Sequence, residues 1–138
     1  MKNAHFALRR IAMLKSPAMR VLGLAARRIL DRIEIELDAH KGQDNGRLPV
    51  TYANFEDFGI HADSIAPALR ELQALGFVSI KPGAGGNSTR RTPSLYGLTY
   101  QPIDGAAPTN GWQLIETFGQ PRKSPQQRAR AALAGIKP

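Results

Sequence analysis

The side chains able to do chemistry in this chain are few. His5, His40 and His61 lie far apart, without the spacing that brings two imidazoles onto one metal ion. There is no cysteine, which removes disulfides and thiolate metal sites and is compatible with a reducing cytoplasm. The run "GAGG" at residues 83–86 lacks the Lys-Ser/Thr of a phosphate-binding loop, and it precedes a strand instead of opening a helix. Glu34, Glu36 and Asp38 stand at i, i+2 and i+4 of one helical segment near a surface, and read as a solvated face. No catalytic residue, metal site, cofactor or small-molecule ligand is expected, and the chain is not expected to be an enzyme. What remains is electrostatic. "KPGAGGNSTRR" places Lys81, Asn87, Arg90 and Arg91 in and around a glycine-rich loop. Arginines in such a loop neutralise phosphates or enter a narrow minor groove, and glycines allow close approach. The competing account is a solvated basic loop that protects a hairpin edge.

The charge distribution sharpens this. The net charge of +8 comes from 19 Lys and Arg against 11 Asp and Glu. Residues 1–30 hold seven bases and no acid, residues 31–80 hold four bases and nine acids, and residues 81–138 hold eight bases and two acids. An acidic centre between basic ends suits a polyanion contacted at chosen places, although a basic surface also serves solubility alone. The basic start is not a secretory signal, because Arg9, Arg10 and Lys15 interrupt its apolar residues. Its helical pattern runs on into the acidic "DRIEIELDAH", which argues against a cleaved presequence. No run approaches the ~18 apolar residues of a membrane span, so a cytoplasmic protein without a membrane partner is expected.

These groups must be positioned by a small domain. At 138 residues the chain suits one domain with tails: a basic segment 1–15, a domain over 16–100, and a basic, largely disordered tail over 101–138. "FALRRIAML" suggests a short basic helix. A long helix is expected over 16–40, with Ser16 as cap and Pro17 in its first position. Leu22, Ala26, Ile29, Ile33 and Leu37 form its apolar stripe, and Val21, Leu24 and Ala25 form a second edge. A helix apolar on two sides is deeply buried or touches a partner, so a homodimer through this helix is expected. "KGQDNG" reads as a turn. "RLPVT" reads as an edge strand, because Pro49 cannot donate to a ladder. Thr51 caps a short helix over 52–58 that turns Phe55 and Phe58 inward and stops at Gly59.

A third helix follows, with Ile65, Ala68, Leu69, Leu72 and Leu75 on one face, Asp63 or Ser64 as cap, and Pro67 in or just past the first turn. Gly76 stops it. "FVSIK", the glycine-rich loop and "SLYGLTY" then form a β-hairpin. Tyr96, Leu98 and Tyr100 alternate along the returning strand and are expected to pack inward. Trp112, in "TNGWQLIE", is expected to anchor the tail on the core.

The succession resembles the winged helix-turn-helix family over residues 17–100. The residues that carry the resemblance are "TYANFEDFGIHADSIAPALRELQALGFVSI", the loop "KPGAGGNSTRR" and "LYGLTY". More narrowly, "NGRLPVTY", "SIAPALRELQALGF" and "PTNGW" are similar to small bacterial winged-helix proteins of plasmids and mobile elements. The resemblance implies an α+β fold with a three-helix core, a small antiparallel hairpin as wing, and double-stranded DNA as partner. It implies that the third helix, about 62–75, enters the major groove while the wing, 81–93, lies on backbone or minor groove. The candidate contacts are His61, Ser64, Pro67, Arg70 and Gln73 on the helix, and Lys81, Asn87, Arg90 and Arg91 on the wing. The function implied is sequence-specific binding by a transcriptional regulator or mobile-element accessory factor that joins the nucleoid when bound to DNA. Against it stand Asp63 and Glu71, which repel phosphate. They leave open a winged-helix module for protein interaction, since a fold does not fix a function.

Overall fold

The computed structural model describes residues 5–83, 93–117 and 133–134. Their order is α1 (Ile11–Leu14), α2 (Pro17–Arg20), α3 (Leu24–Ala39), β1 (Leu48–Pro49), α4 (Tyr52–Asp57), α5 (Ala62–Ala74), β2 (Val78–Lys81), β3 (Leu95–Leu98), a 3₁₀ turn (Gly111–Gln113) and α6 (Leu114–Thr117). The fold is α+β, with helices packed on a three-stranded antiparallel sheet of order β1-β3-β2. No helix among the described residues is long and apolar enough to cross a membrane.

The amino-terminal helices differ from the single long helix expected over 16–40. Ser16 does cap, accepting from Met19 N at 3.1 Å with Pro17 following. The helix then breaks at Val21–Gly23, and Gly23 takes an extended conformation that starts α3 anew. The break lets Met13, Ala18, Met19 and Leu22 turn into the core. Helical periodicity carries across so short an interruption and does not register it. The expected helix over "FALRRIAML" shrinks to α1, with residues 5–10 outside regular structure.

α3 and α5 pack on each other through Ala26, Ile29, Leu30 and Ile33 against Ile65, Ala68, Leu69 and Leu72, all buried. Each of the Ile and Leu side chains among them contributes ~1.5–3 kcal/mol when fully buried, the two alanines less. Thr51 caps α4 reciprocally with Asn54. Phe55 is fully buried and meets Tyr96 edge-on at 5.8 Å, while Phe58 is half-buried against the core. Pro49 lies on the edge strand β1, where its missing N–H costs no ladder bond. Tyr96, Leu98 and Tyr100 are buried as their alternation requires, and burial raises the Tyr96 phenol to about 12.

Asn45, at the centre of the turn, does more than reverse the chain. Its side chain is buried, accepts from Leu98 N at 2.7 Å, and donates to the carbonyls of Leu98, Gln101 and Pro102 at 2.9, 3.2 and 3.0 Å. It therefore joins the end of α3 to the end of β3.

Residues 101–117 do not extend away as a tail. Trp112 and Ile115 are buried, and α6 packs on α2. The approach is backbone to backbone: a Cβ on Gly76, which has φ +83°, would lie 2.4 Å from the Gly111 carbonyl carbon. Thr99 Oγ1 donates to Gly76 O at 2.7 Å, and Asn110 N donates to Thr99 O at 2.9 Å. Trp112 thus anchors the segment as expected, with its indole N–H on Asn110 Oδ1 at 3.1 Å and the Arg10 guanidinium 5.9 Å from its ring centre.

Candidate nucleic-acid interface

α5 starts two to three residues earlier than capping by Asp63 or Ser64 would allow. His61 is the cap, its Nδ1 accepting from Asp63 N at 3.2 Å. The Asp63 carboxylate is 94 % exposed and turns to solvent. Pro67 therefore sits inside the helix, beyond the first turn. The carbonyl of Asp63 loses its usual donor four residues on, on a face of the helix where Asp63 and Pro67 are exposed.

Two contacts from α3 hold α5 in place. Arg28 donates to the carbonyls of Phe58 and Gly59, at 3.1 and 3.0 Å, and so clamps the turn between α4 and α5. Gly59 has φ +101°, and a Cβ there would sit 2.6 Å from the Arg28 guanidinium. Near the other end of α5, Glu71 accepts from Gly23 N at 3.2 Å. A carboxylate at a helix start is favourable, because the first N–H groups lack partners and the dipole is positive there. In the sequence Arg28 is one base of a basic segment and Glu71 a charge that repels phosphate. Each positions α5.

The candidate residues are then distributed as follows. His61, Pro67 and Gln73 are exposed along α5, and Ser64 is half-buried in its first turn. Asp63, Pro67, Arg70 and Ala74 follow one another on the side away from Ile65, Leu69 and Leu72. Arg70 departs from a freely solvated side chain. It is half-buried, and its Nε is buried with no hydrogen-bond partner among the described residues. Lys81 is exposed at the end of β2, opposite Leu95. Gly83 N donates to Ser94 Oγ at 3.3 Å and closes the base of the hairpin loop. Asn87, Arg90 and Arg91 lie outside the described residues. The structure thus brings the α5 residues to one helix and sets Lys81 at the root of the loop.

Several basic residues of the amino-terminal segment are engaged within the chain. Arg9 Nε meets Glu34 at 2.7 Å, and its Nη2 meets Asp31 at 2.6 Å. Burial disfavours the Arg9 charge, but Glu34 outweighs it and the guanidinium pKa is raised. Tyr100 OH donates to the same Glu34 carboxylate, with burial and that neighbouring charge holding the phenol well above its ordinary range. Arg27 donates to the Met19 carbonyl at 2.6 Å. Lys15 and Arg20 make no ion pair among the described residues.

The expected solvated face of α3 holds for Asp38, which stays exposed, while Glu34 and Glu36 are half-buried. Glu34 is 9 % exposed in its ion pair, Glu36 holds Arg32 and His40 at 3.0 Å each, and Asp38 meets His5 at 2.8 Å. The partners of Glu34 and Asp38 come from residues 5–10, which periodicity within α3 cannot report, whereas those of Glu36 are i,i+4 neighbours. The second apolar edge is partly satisfied too, with Val21 and Ala25 packed on the core and Leu24 left 80 % exposed. No group of three or more histidine and carboxylate side chains that could hold a metal ion occurs among the described residues.

Comparison of the chain with family models, with curated proteins and with solved structures finds no match.

Proposed function

We propose that this chain is a sequence-specific double-stranded DNA-binding protein with winged helix-turn-helix architecture, serving as a bacterial regulator or a plasmid or mobile-element accessory factor. The observation that carries this is the mounting of α5. It is clamped to α3 by Arg28 and Glu71, keeps its outer side free, and passes through Gly76 directly into a hairpin. A major groove ~12 Å wide admits one such helix. The order α3, β1, α4, α5, β2, β3, with β3 central in the sheet, also supports the architecture. In this reading Ser64 and Arg70 face bases or phosphates, and His61, Pro67 and Gln73 flank them. Lys81, Asn87, Arg90 and Arg91 lie on backbone or minor groove. Such a protein works in the cytoplasm at the nucleoid. Two copies paired through α3 would read half-sites about one helical turn, ~34 Å, apart.

A second reading is supported by the outer side of α5 itself. Asp63 is fully presented there, and the one arginine is half-buried. A surface with so little positive charge also fits a protein partner. Gel-shift titration with competitor DNA at two salt concentrations separates the two. DNA binding predicts a specific complex whose affinity falls steeply with salt. In the Arg90→Ala/Arg91→Ala variant the salt slope becomes shallower by about 1 per lost phosphate contact. Absence of a specific complex, or an unchanged affinity and slope in the folded double variant, favours the protein-interaction module. Sedimentation at tens of micromolar, free and on DNA, tests the pairing.

A further inference from the structure

Residues 5–10 cross the outer face of α3 as a strap, and polar contacts fasten it. His5 bonds Asp38, Arg9 forks onto Asp31 and Glu34, and Gln101 Nε2 donates to Leu8 O at 3.0 Å. The apolar side chains of the strap do none of this holding: Phe6 is 81 % and Leu8 77 % exposed. Between strap and helix lies an open groove of about 490 Å³. Phe6, Ile35 and Leu37 supply its apolar surface, and Asp31, Glu34 and Asp38 its carboxylates. This volume falls in the ~300–1,000 Å³ range of small-molecule sites.

The charge of the lining runs against that of the protein. The chain carries +8, yet no Lys or Arg lines the groove among the described residues. The three carboxylates are not equivalent. Glu34 is half-buried and committed to Arg9 and Tyr100. Asp31 is paired with the permanently charged Arg9. Asp38 is 55 % exposed, and its partner is the imidazole of His5, itself 63 % exposed and free to swing aside. Asp38 is therefore the carboxylate best able to take a new cation. Phe6 offers a ring face for the same charge, and Ile35, half-exposed between Asp31 and Asp38 along the helix, offers contact for an apolar body.

We infer that the groove between the strap and α3 binds an apolar-bodied organic cation, with its charge on Asp38 and its body on Phe6 and Ile35. The site draws on residues 5–7, 31–42 and 101, so no local motif announces it, and it does not depend on DNA binding.

The full chain labelled with ¹⁵N is titrated with tetraphenylphosphonium and, separately, with tetraphenylborate, which has the same shape and the opposite charge. Tetraphenylphosphonium should saturate and shift amides of the strap, of residues 31–42 and of Gln101. Tetraphenylborate should not shift that set. Asp38→Asn and Phe6→Ala alter exposed side chains and should keep the fold, as their spectra will report. Each should weaken tetraphenylphosphonium binding about 3- to 10-fold. No saturation at millimolar probe, equal response to the anion in the same amides, or unchanged affinity in both variants overturns the inference. So does a shift centred on the amides of Phe6, Ile35, Asp38 and Gln101 on simple dilution without probe, which would mean that a second copy covers the groove; pairing at the Leu24 end of α3 would leave those amides unmoved.

Discussion

Asn45→Ala tests the join between the turn after α3 and the end of β3. The substitution removes one acceptor and two N–H donors that serve three carbonyls. The Leu98 N–H and C=O lie in the core, where a lost partner costs ~1–3 kcal/mol. The carbonyls of Gln101 and Pro102 lie nearer the surface and regain water, so they add little. The expected loss is about 2–4 kcal/mol, a fall of roughly 1–2 M in the urea midpoint at an m-value of ~2 kcal/mol/M. Asn45→Asp separates the two halves of the network. The carboxylate still accepts from Leu98 N–H, but it points a negative oxygen at three carbonyls. At neutral pH it should be worse than alanine. Its folded-state pKa should rise above the unfolded value, because the neutral acid can donate, so stability recovers as pH falls through that raised pKa. Urea unfolding of both variants at pH 7 and pH 5 is the assay. A loss below 1 kcal/mol for Asn45→Ala, or an aspartate no worse than alanine at pH 7, refutes the reasoning.

The other predictions concern α5 and the end of α3. Leu69→Ala opens a cavity between α3 and α5 and should cost ~2–5 kcal/mol in chemical unfolding, whereas Arg70→Ala should leave stability nearly unchanged and lower DNA affinity in the gel shift. Arg28→Ala frees the carbonyls of Phe58 and Gly59 and should cost about 1–2 kcal/mol. It should also speed amide exchange at residues 60–64, and Arg28→Lys should not rescue it, since one ammonium cannot span the fork. The Asp44 hydrogen bond, with Glu36 behind it, raises the His40 pKa above 6.5, and the His40 bond lowers that of Asp44 below 3.8. The His40 contribution is full below pH 6.5 and lost as pH rises through its folded pKa. That of Asp44 is full above pH 3.8 and lost as pH falls through its own. The melting temperature should therefore decline on the alkaline side of that window, and His40→Gln should flatten the decline.

Much of the fold was legible along the chain because its signals are local. Thr51 and Ser16 cap where their types allow, Gly59 and Gly76 end helices at positive φ, Pro49 lies on an edge strand, and the alternation of Tyr96, Leu98 and Tyr100 points inward. The apolar period of α5 likewise separates the side that packs from the side that remains exposed. Capping was less legible. His61 rather than Asp63 or Ser64 starts α5, because an imidazole in extended backbone geometry accepts a first-turn N–H, that of Asp63. The break at Gly23 was hidden by an apolar pattern that continues through it. Everything that depends on distant segments was decided by packing alone: Glu34 turned from a solvated acid into a half-buried anchor by Arg9 and Tyr100, Arg28 spent on a turn thirty residues away, Asn45 tied to β3, and residues 101–117 folded back through the contact of Gly76 with Gly111. Local propensity and periodicity depend on neighbours within a few residues, so the sequence by itself determined the elements from β1 to β3 and which of their faces are apolar. Which charges remain free to meet a partner depends on what lies across from each side chain in space, and only the tertiary structure decided that.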